Sequence, residues 1–262
     1  MTPFSTTRSG AEAAIAEVVA NARVRQRFPA FIKSQARDLF AYAGDKAHVR
    51  AELNTLLELG SPDPAVVHRG LLIQLNGIFE GFVKSLVSTH ISAVAAKVDR
   101  FGDLDQELQN TYSVHAARAL SKLSEGSING VSYNFATLQS GMGSCFSGGS
   151  PFVINGEVFT LLMGNCTAER VERLFRQTGL PEPFGDKVGR HKAAQKWSGE
   201  AGARRTATRV RDELDRQIET RNELVHGLAT KDVVLLDVEG AADFFGCLVT
   251  VYCDLAEGCH AR

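Results

Sequence analysis

The chain has 262 residues, 44% of them hydrophobic and 23% charged, the composition of a folded globular protein rather than of a disordered or fibrous one. A net charge of −1 excludes overall basicity as a route to nucleic acid, so any polyanion site must be a local patch. Five cysteines, Cys145, Cys166, Cys247, Cys253 and Cys259, form no C-x-x-C pair and are odd in number, which argues against a zinc site or a disulfide framework and for reduced thiols.

The opening residues, Met1 to Arg8, lack the apolar core of a signal peptide. The ten mostly apolar residues between Asp243 and Asp254 are too few to cross a bilayer. The expectation is a cytoplasmic chain with no membrane partner, and no residue pattern calls for a metal or an organic cofactor.

In chain order, residues 10–28 form an alanine-rich helix closed at Pro29. Residues 30–42 and 45–59 predict two more, separated by Gly44 and ended by Gly60-Ser61-Pro62. The pair Asp63-Pro64 opens the most hydrophobic helix, 64–90. Its apolar residues cover nearly every face, so it belongs at the centre of a bundle. Between Gly70 and Val83 its only charge is Glu80. A helix of about 104–123 follows, with Leu104, Leu108, Tyr112 and Leu120 among its apolar positions.

From Gly126 to Gly156 there is no charged residue. Asn129-Gly130 and Asn155-Gly156 sit between β-type residues and suggest hairpin turns. The stretch 126–165 therefore reads as an insertion containing β structure, either packing as structure alone or supplying a dimer or substrate contact. Thr167 is a fair N-cap for a short helix, 168–178, stopped by Gly179 and Pro181. Residues 187–211 then hold eight basic residues, Lys187, Arg190, Lys192, Lys196, Arg204, Arg205, Arg209 and Arg211, against one acid, Glu200. Such a run is either a solvated face or a guide for a polyanion. A strongly apolar helix, about 238–257, completes the bundle.

The segment Arg209–Leu228 is where chemistry concentrates. Leu214, Ile218, Val225 and Leu228 recur at helical spacing, and Arg221 falls within that stripe. A charge in such a place needs a specific partner. Asn222 and His226, four residues apart, share a face, and Gly227 offers a place to end the helix. The bare Arg-x4-His spacing is weak evidence, since chance supplies about one in every two chains of this composition. A second anomaly adds to it: Glu80 is a lone carboxylate in the central apolar helix. A buried Arg and a buried Glu in one bundle are expected to meet. The plainer reading is a buried ion pair beside an exposed histidine.

The two motifs, Ile78-Phe79-Glu80-Gly81-Phe82 with Leu86 and Arg221-Asn222-Glu223-Leu224-Val225-His226, resemble those of the HEPN superfamily. Among its branches the chain looks most like the RiboL-PSP type, whose linker helix is similar to the stretch from Asn165 to Leu180. The resemblance covers roughly 61–90 and 165–258. It implies an all-α fold, a HEPN-like four-helix bundle of 61–125 and 166–262; the N-terminal helical extension (1–60) and the uncharged β/loop insertion (126–165) lie outside the resemblance, and the whole reads as one domain over 1–262.

The activity it implies is that of a metal-independent endoribonuclease of the toxin or antiviral-defence kind, acting on RNA as a homodimer, with an antitoxin or defence-complex partner. The residues suit that chemistry. RNA carries its own nucleophile in the 2′-OH. His226 is suited to take or give a proton near neutral pH, Arg221 to stabilise charge developing on phosphorus, and Asn222 to position either. Glu80 would support Arg221, while Arg190, Lys192, Lys196, Arg204 and Arg205 would bind RNA. The alternatives are a non-catalytic HEPN-like binding or scaffold module, and a hydrolase built on His115 or His191.

Overall fold

In the computed structural model, residues 2–43, 51, 55, 63–123, 135–161, 163–227 and 232–260 are described. Nine α-helices occur among them: α1 (Ser5–Ala43), α2 (Pro64–Ala95), α3 (Gln106–Leu123), α4 (Phe135–Phe146), α5 (Ala168–Thr178), α6 (Asp186–Gly189), α7 (Lys192–Ser198), α8 (Ala203–Val225) and α9 (Leu235–His260). Tight 3₁₀ turns stand at Phe101–Asp103 and Gly156–Phe159, and no strand occurs among the described residues. The all-α class read from the sequence holds.

α2 is the pivot. Asp63 caps it by accepting from the Ala65 N–H at 3.0 Å, and Pro64 occupies its first position, where a missing N–H is harmless. It packs against α1, α9, α8, α5 and the Gly156–Phe159 turn. Leu75, Phe79, Val83, Leu86 and Val87 are buried along it. Phe79 stacks on Phe245 of α9, with ring centroids 4.9 Å apart, and faces Tyr252 of the same helix. By length and composition α2 is also the one helix among the described residues apolar enough to cross a membrane; here eleven of its 32 residues are buried against other elements.

Three expectations change. α1 does not stop before Pro29 but runs on to Ala43, absorbing the predicted helix 30–42. An interior proline costs a helix about 3 kcal/mol, so the continuation past Pro29 runs against the local signal. Phe4, Ala11, Ile15, Val18 and Ala22 are buried where this helix lies along α2 and α9. The expected helix 45–59, apart from residues 51 and 55, lies outside the described residues.

The insertion is the second change. Its described part is helical, α4 and the Gly156–Phe159 turn, where β structure was expected. The Asn155 side chain accepts from the Glu157 N–H at 2.9 Å and caps that turn, so Asn155-Gly156 starts a turn of helix instead of a hairpin. Gly156 is needed there for another reason: a Cβ would stand 2.7 Å from the Ser88 Cα of α2. Asn129-Gly130 lies outside the described residues.

The third change concerns α5, whose bounds match the expected 168–178. Thr167 holds the N-cap position without a side-chain cap bond. The acceptor comes from another helix, with Asp215 Oδ1 of α8 taking the Ala168 N–H at 2.8 Å. A tertiary carboxylate thus does the work of a local hydroxyl and fixes α5 on α8.

Candidate functional site

α8 ends as its sequence suggests. Helical residues run to Val225, His226 is the C-cap, and Gly227 takes φ +68°, the left-handed conformation that glycine adopts without penalty. Leu214 and Ile218 are buried, and Leu224 packs against the core. Val225, expected on the buried stripe, is 48% exposed, so the core-facing row passes from Ile218 through Arg221 to Leu224. Leu228 lies outside the described residues.

Arg221 is half-buried on that row. Its Nη1 donates to Asn165 Oδ1 at 3.2 Å and to Asn222 Oδ1 at 3.0 Å. Asn165 Nδ2 donates to the same Asn222 oxygen at 2.9 Å. Three side chains from α8 and the loop before α5 thus close a triangle. The expected Arg221–Glu80 ion pair is replaced by these contacts. Glu80 has Lys84 as partner, Nζ–Oε1 2.6 Å, one helical turn away on α2, the favoured Glu-before-Lys order. Among the described residues no carboxylate pairs with Arg221. Amide oxygens orient a guanidinium but do not cancel its charge, so Arg221 is fixed in place and still cationic.

A second guanidinium joins the cluster. Arg170 Nη1 donates to the Asn165 backbone carbonyl at 3.3 Å, so Asn165 serves Arg221 with its side chain and Arg170 with its main chain. Gly164, the residue before, is confined by the same contact: a Cβ there would stand 2.6 Å from Arg170 Nη1. Cys166, the residue after, is buried. Burial pushes its thiol far up, Glu80 adds to the rise, and Lys84 and Arg170 oppose it. The Glu80–Lys84 pair therefore borders the same loop without touching Arg221. Asn165 and Arg170 were not singled out from the sequence; an amide preceding a helix N-cap carries no signal until its partner 56 residues on is known.

His226 is exposed. Its backbone N–H donates to the Asn222 carbonyl at 3.0 Å, and its ring has no partner among the described residues. Asn222 thus directs its side chain to Arg221 and Asn165 and touches His226 only through the main chain.

The basic run divides. Arg190, Lys192, Lys196, Arg204 and Arg205 are all exposed. Arg190 pairs with Asp186 at 2.8 Å, Arg209 lies 3.8 Å from Glu200 and over the Trp197 ring, and Arg211 reaches Glu172 at 3.4 Å. Lys192, Lys196, Arg204 and Arg205 have no carboxylate partner among the described residues. Arg204 and Arg205 stand in the first turn of α8, sixteen or more residues before Arg221, a separation of about 24 Å along the axis. The run is not brought to the Arg221–His226 end.

Two other histidines hold the fold. His191 Nδ1 accepts from the Ala193 N–H at 3.2 Å and caps α7, while its Nε2 donates to Asp254 Oδ2 at 3.0 Å. Asp254 also receives Arg8, which ties α1 and the start of α7 to α9. His90 Nε2 donates to the Thr178 carbonyl at 2.9 Å, and His90 Nδ1 lies 2.9 Å from His260 Nε2. Because the carbonyl can only accept, His90 Nδ1 is the acceptor and His260 the donor in the neutral pair. Among the described residues no three His, Cys, Asp or Glu side chains cluster closely enough to hold a metal ion. Comparisons with protein-family models, with curated proteins and with solved structures find no match to this chain.

Proposed function

We propose that the chain is a metal-independent endoribonuclease of the HEPN type, with Arg221 and His226 as its catalytic pair. The observation that carries this reading is the Asn165–Arg221–Asn222 triangle. It holds a guanidinium, with no neutralising carboxylate among the described residues, one turn before an exposed histidine at a helix end. A fixed cation of this kind meets the charge that develops on phosphorus with little reorganisation. His226 takes the 2′-OH proton or protonates the 5′-oxygen. With one such histidine per chain, acid and base come from two protomers, so the active form is a twofold dimer. Exposed Val225 at this end of α8 and exposed Leu236, which borders the same groove as Thr220, suit such a contact. The products are a 2′,3′-cyclic phosphate and a 5′-OH. The role in the cell is that of a toxin or defence nuclease with a controlling partner, and the HEPN bundle is the architecture this reading assigns to α2, α8, α9 and their neighbours.

The test is cleavage of matched RNA and 2′-deoxy strands in EDTA. The expected result is cleavage of RNA only, lost by a factor of about 10² or more in Arg221→Ala and in His226→Ala, with light scattering showing a dimer for both the wild type and His226→Ala. Cutting of the deoxy strand, or full activity in His226→Ala, sinks the mechanism. One feature favours the second reading, a non-catalytic RNA-binding module: Asn222 is turned away from the His226 ring. In that case Arg221→Ala weakens RNA binding, His226→Ala leaves it unchanged, and neither wild type nor variant cuts.

A further inference from the structure

Behind Arg170 lies a cavity of ≈ 270 Å³ between α3, α5 and the Gly156–Phe159 turn. Arg118 of α3 and Arg170 and Arg173 of α5 line it together with His115. On α5 the spacing of Arg170, Arg173 and Gln177 puts all three on one side of the helix. Glu172 leaves that side and pairs with Arg211 of α8. Among the described residues no Asp or Glu lines the cavity and no carboxylate pairs with Arg118, Arg170 or Arg173. The floor is apolar, formed by Phe159, Met163 and Leu174. The His115 ring lies 5.9 Å from Phe159 at 34°, and its Nδ1 is buried without a hydrogen-bond partner. Burial first, then Arg118 and Arg173, disfavour the charged form of His115, as an uncompensated positive field requires.

We infer that this cavity is a binding site for a phosphate monoester, its phosphate held by Arg118, Arg170 and Arg173 and its organic part set against His115 and Phe159. Three convergent guanidiniums without an acid match a dianion in charge, and their planar forks match phosphate oxygens in geometry. The volume, at the lower edge of small-ligand sites, is of the order of a single nucleotide. The site stands on its own residues and does not depend on the ribonuclease reading.

The experiment is titration calorimetry of the full chain with inorganic phosphate, adenosine 5′-monophosphate, adenosine, and an RNA hexamer carrying a 5′-phosphate or a 5′-OH. Phosphate and the monophosphate are expected to bind and adenosine not. Arg118→Ala and Arg173→Ala, both changes of exposed side chains, are each expected to weaken the monophosphate by about tenfold or more, while Arg25→Ala, an exposed arginine of α1, binds it as the wild type does. A preference for the 5′-phosphorylated hexamer at the same residues identifies an RNA end as the natural source. Equal hexamer binding with retained mononucleotide binding identifies the free nucleotide. Absence of phosphate and monophosphate binding, equal binding of adenosine, or wild-type affinity in Arg118→Ala and Arg173→Ala overturns the site.

Discussion

Two cationic regions of this molecule differ in a way their sequence densities hide. The run from Lys187 to Arg211 carries eight bases within 25 residues, yet Arg190, Arg209 and Arg211 each have an acid beside them in space. The other region is thin in sequence: Arg118, Arg170, Arg173 and Arg221 come from α3, α5 and α8, and none has a carboxylate partner among the described residues. Asn165 links two of its guanidiniums. Charge that is paired holds a fold together; charge oriented by amides and left uncompensated is available to a ligand. The histidines divide the same way. His191 and His90 use both ring nitrogens inside the protein, whereas the His226 ring and His115 Nδ1 have no partner among the described residues.

The largest effect expected from this contrast is on stability, and it falls on the engaged side. Burial lowers His90 from 6.5 to about 4; the Thr178 carbonyl opposes this, and His260 and Lys97 add to it. The unfolded chain therefore binds more protons than the folded one between pH 6.5 and 4, and stability rises with pH across that window. His90 is 2% exposed, so the shift is worth on the order of 3 kcal/mol, fully present above pH 6.5 and lost as pH falls toward 4. Protonating His90 Nδ1 also breaks its bond from His260. Urea unfolding at pH 7 and pH 4.5 checks this. In His90→Gln, whose amide N–H still reaches a carbonyl, the pH-dependent part is expected to shrink by most of that amount. An unchanged pH slope in the variant assigns the acid loss to other groups.

The next effect falls on the uncompensated side. Asn165→Ala removes one of the two amides on Arg221 and also releases Asn222 Oδ1, leaving the guanidinium free to turn. If Arg221 acts by being held in place, kcat is expected to fall by about ten- to a hundredfold with KM little changed. Asn165→Asp is expected to be worse than Asn165→Ala, because it puts an anion where the charge of Arg221 has to stay available. An Asp variant as active as the wild type would mean that the missing carboxylate is incidental.

These differences mark what could be read from the chain and what could not. Signals completed within one helical turn were legible: Asp63-Pro64 opening α2, Gly179 ending α5 and Gly227 ending α8. The Glu80–Lys84 pair also lies at a spacing of four, but a reading that stops at Val83 leaves Glu80 alone and assigns it to Arg221 instead. Pairings across the fold were not legible. Nothing near Asn165 points to Arg221, and nothing near Thr167 shows that Asp215 takes over its cap. The β expectation failed at Asn155-Gly156 because an Asn that caps a 3₁₀ turn and an Asn that starts a hairpin look alike until the neighbouring backbone is placed.

The smallest effect bears on the basic run itself. Lys187, Lys192, Lys196, Arg204 and Arg205 remain without acid partners among the described residues, and Arg204 and Arg205 stand about 24 Å or more from Arg221 along α8. They can lengthen the track of a bound strand but cannot reach the phosphate being cleaved. Each phosphate contact on a single strand contributes about 0.7 to the slope of log affinity against log salt. Reversing Arg204 and Arg205 to Glu is therefore expected to flatten that slope by about 1.4 or somewhat more, while the cleavage rate at saturating RNA stays at the wild-type value. Arg190→Glu, which removes a base already paired with Asp186, is expected to change the slope less than either Arg204→Glu or Arg205→Glu alone. Filter binding across a salt series, with single-turnover cleavage on the same variants, separates the two quantities. If Arg190→Glu matches Arg205→Glu, pairing does not decide which cations of this run meet RNA, and the contrast between the two regions fails at its most exposed point.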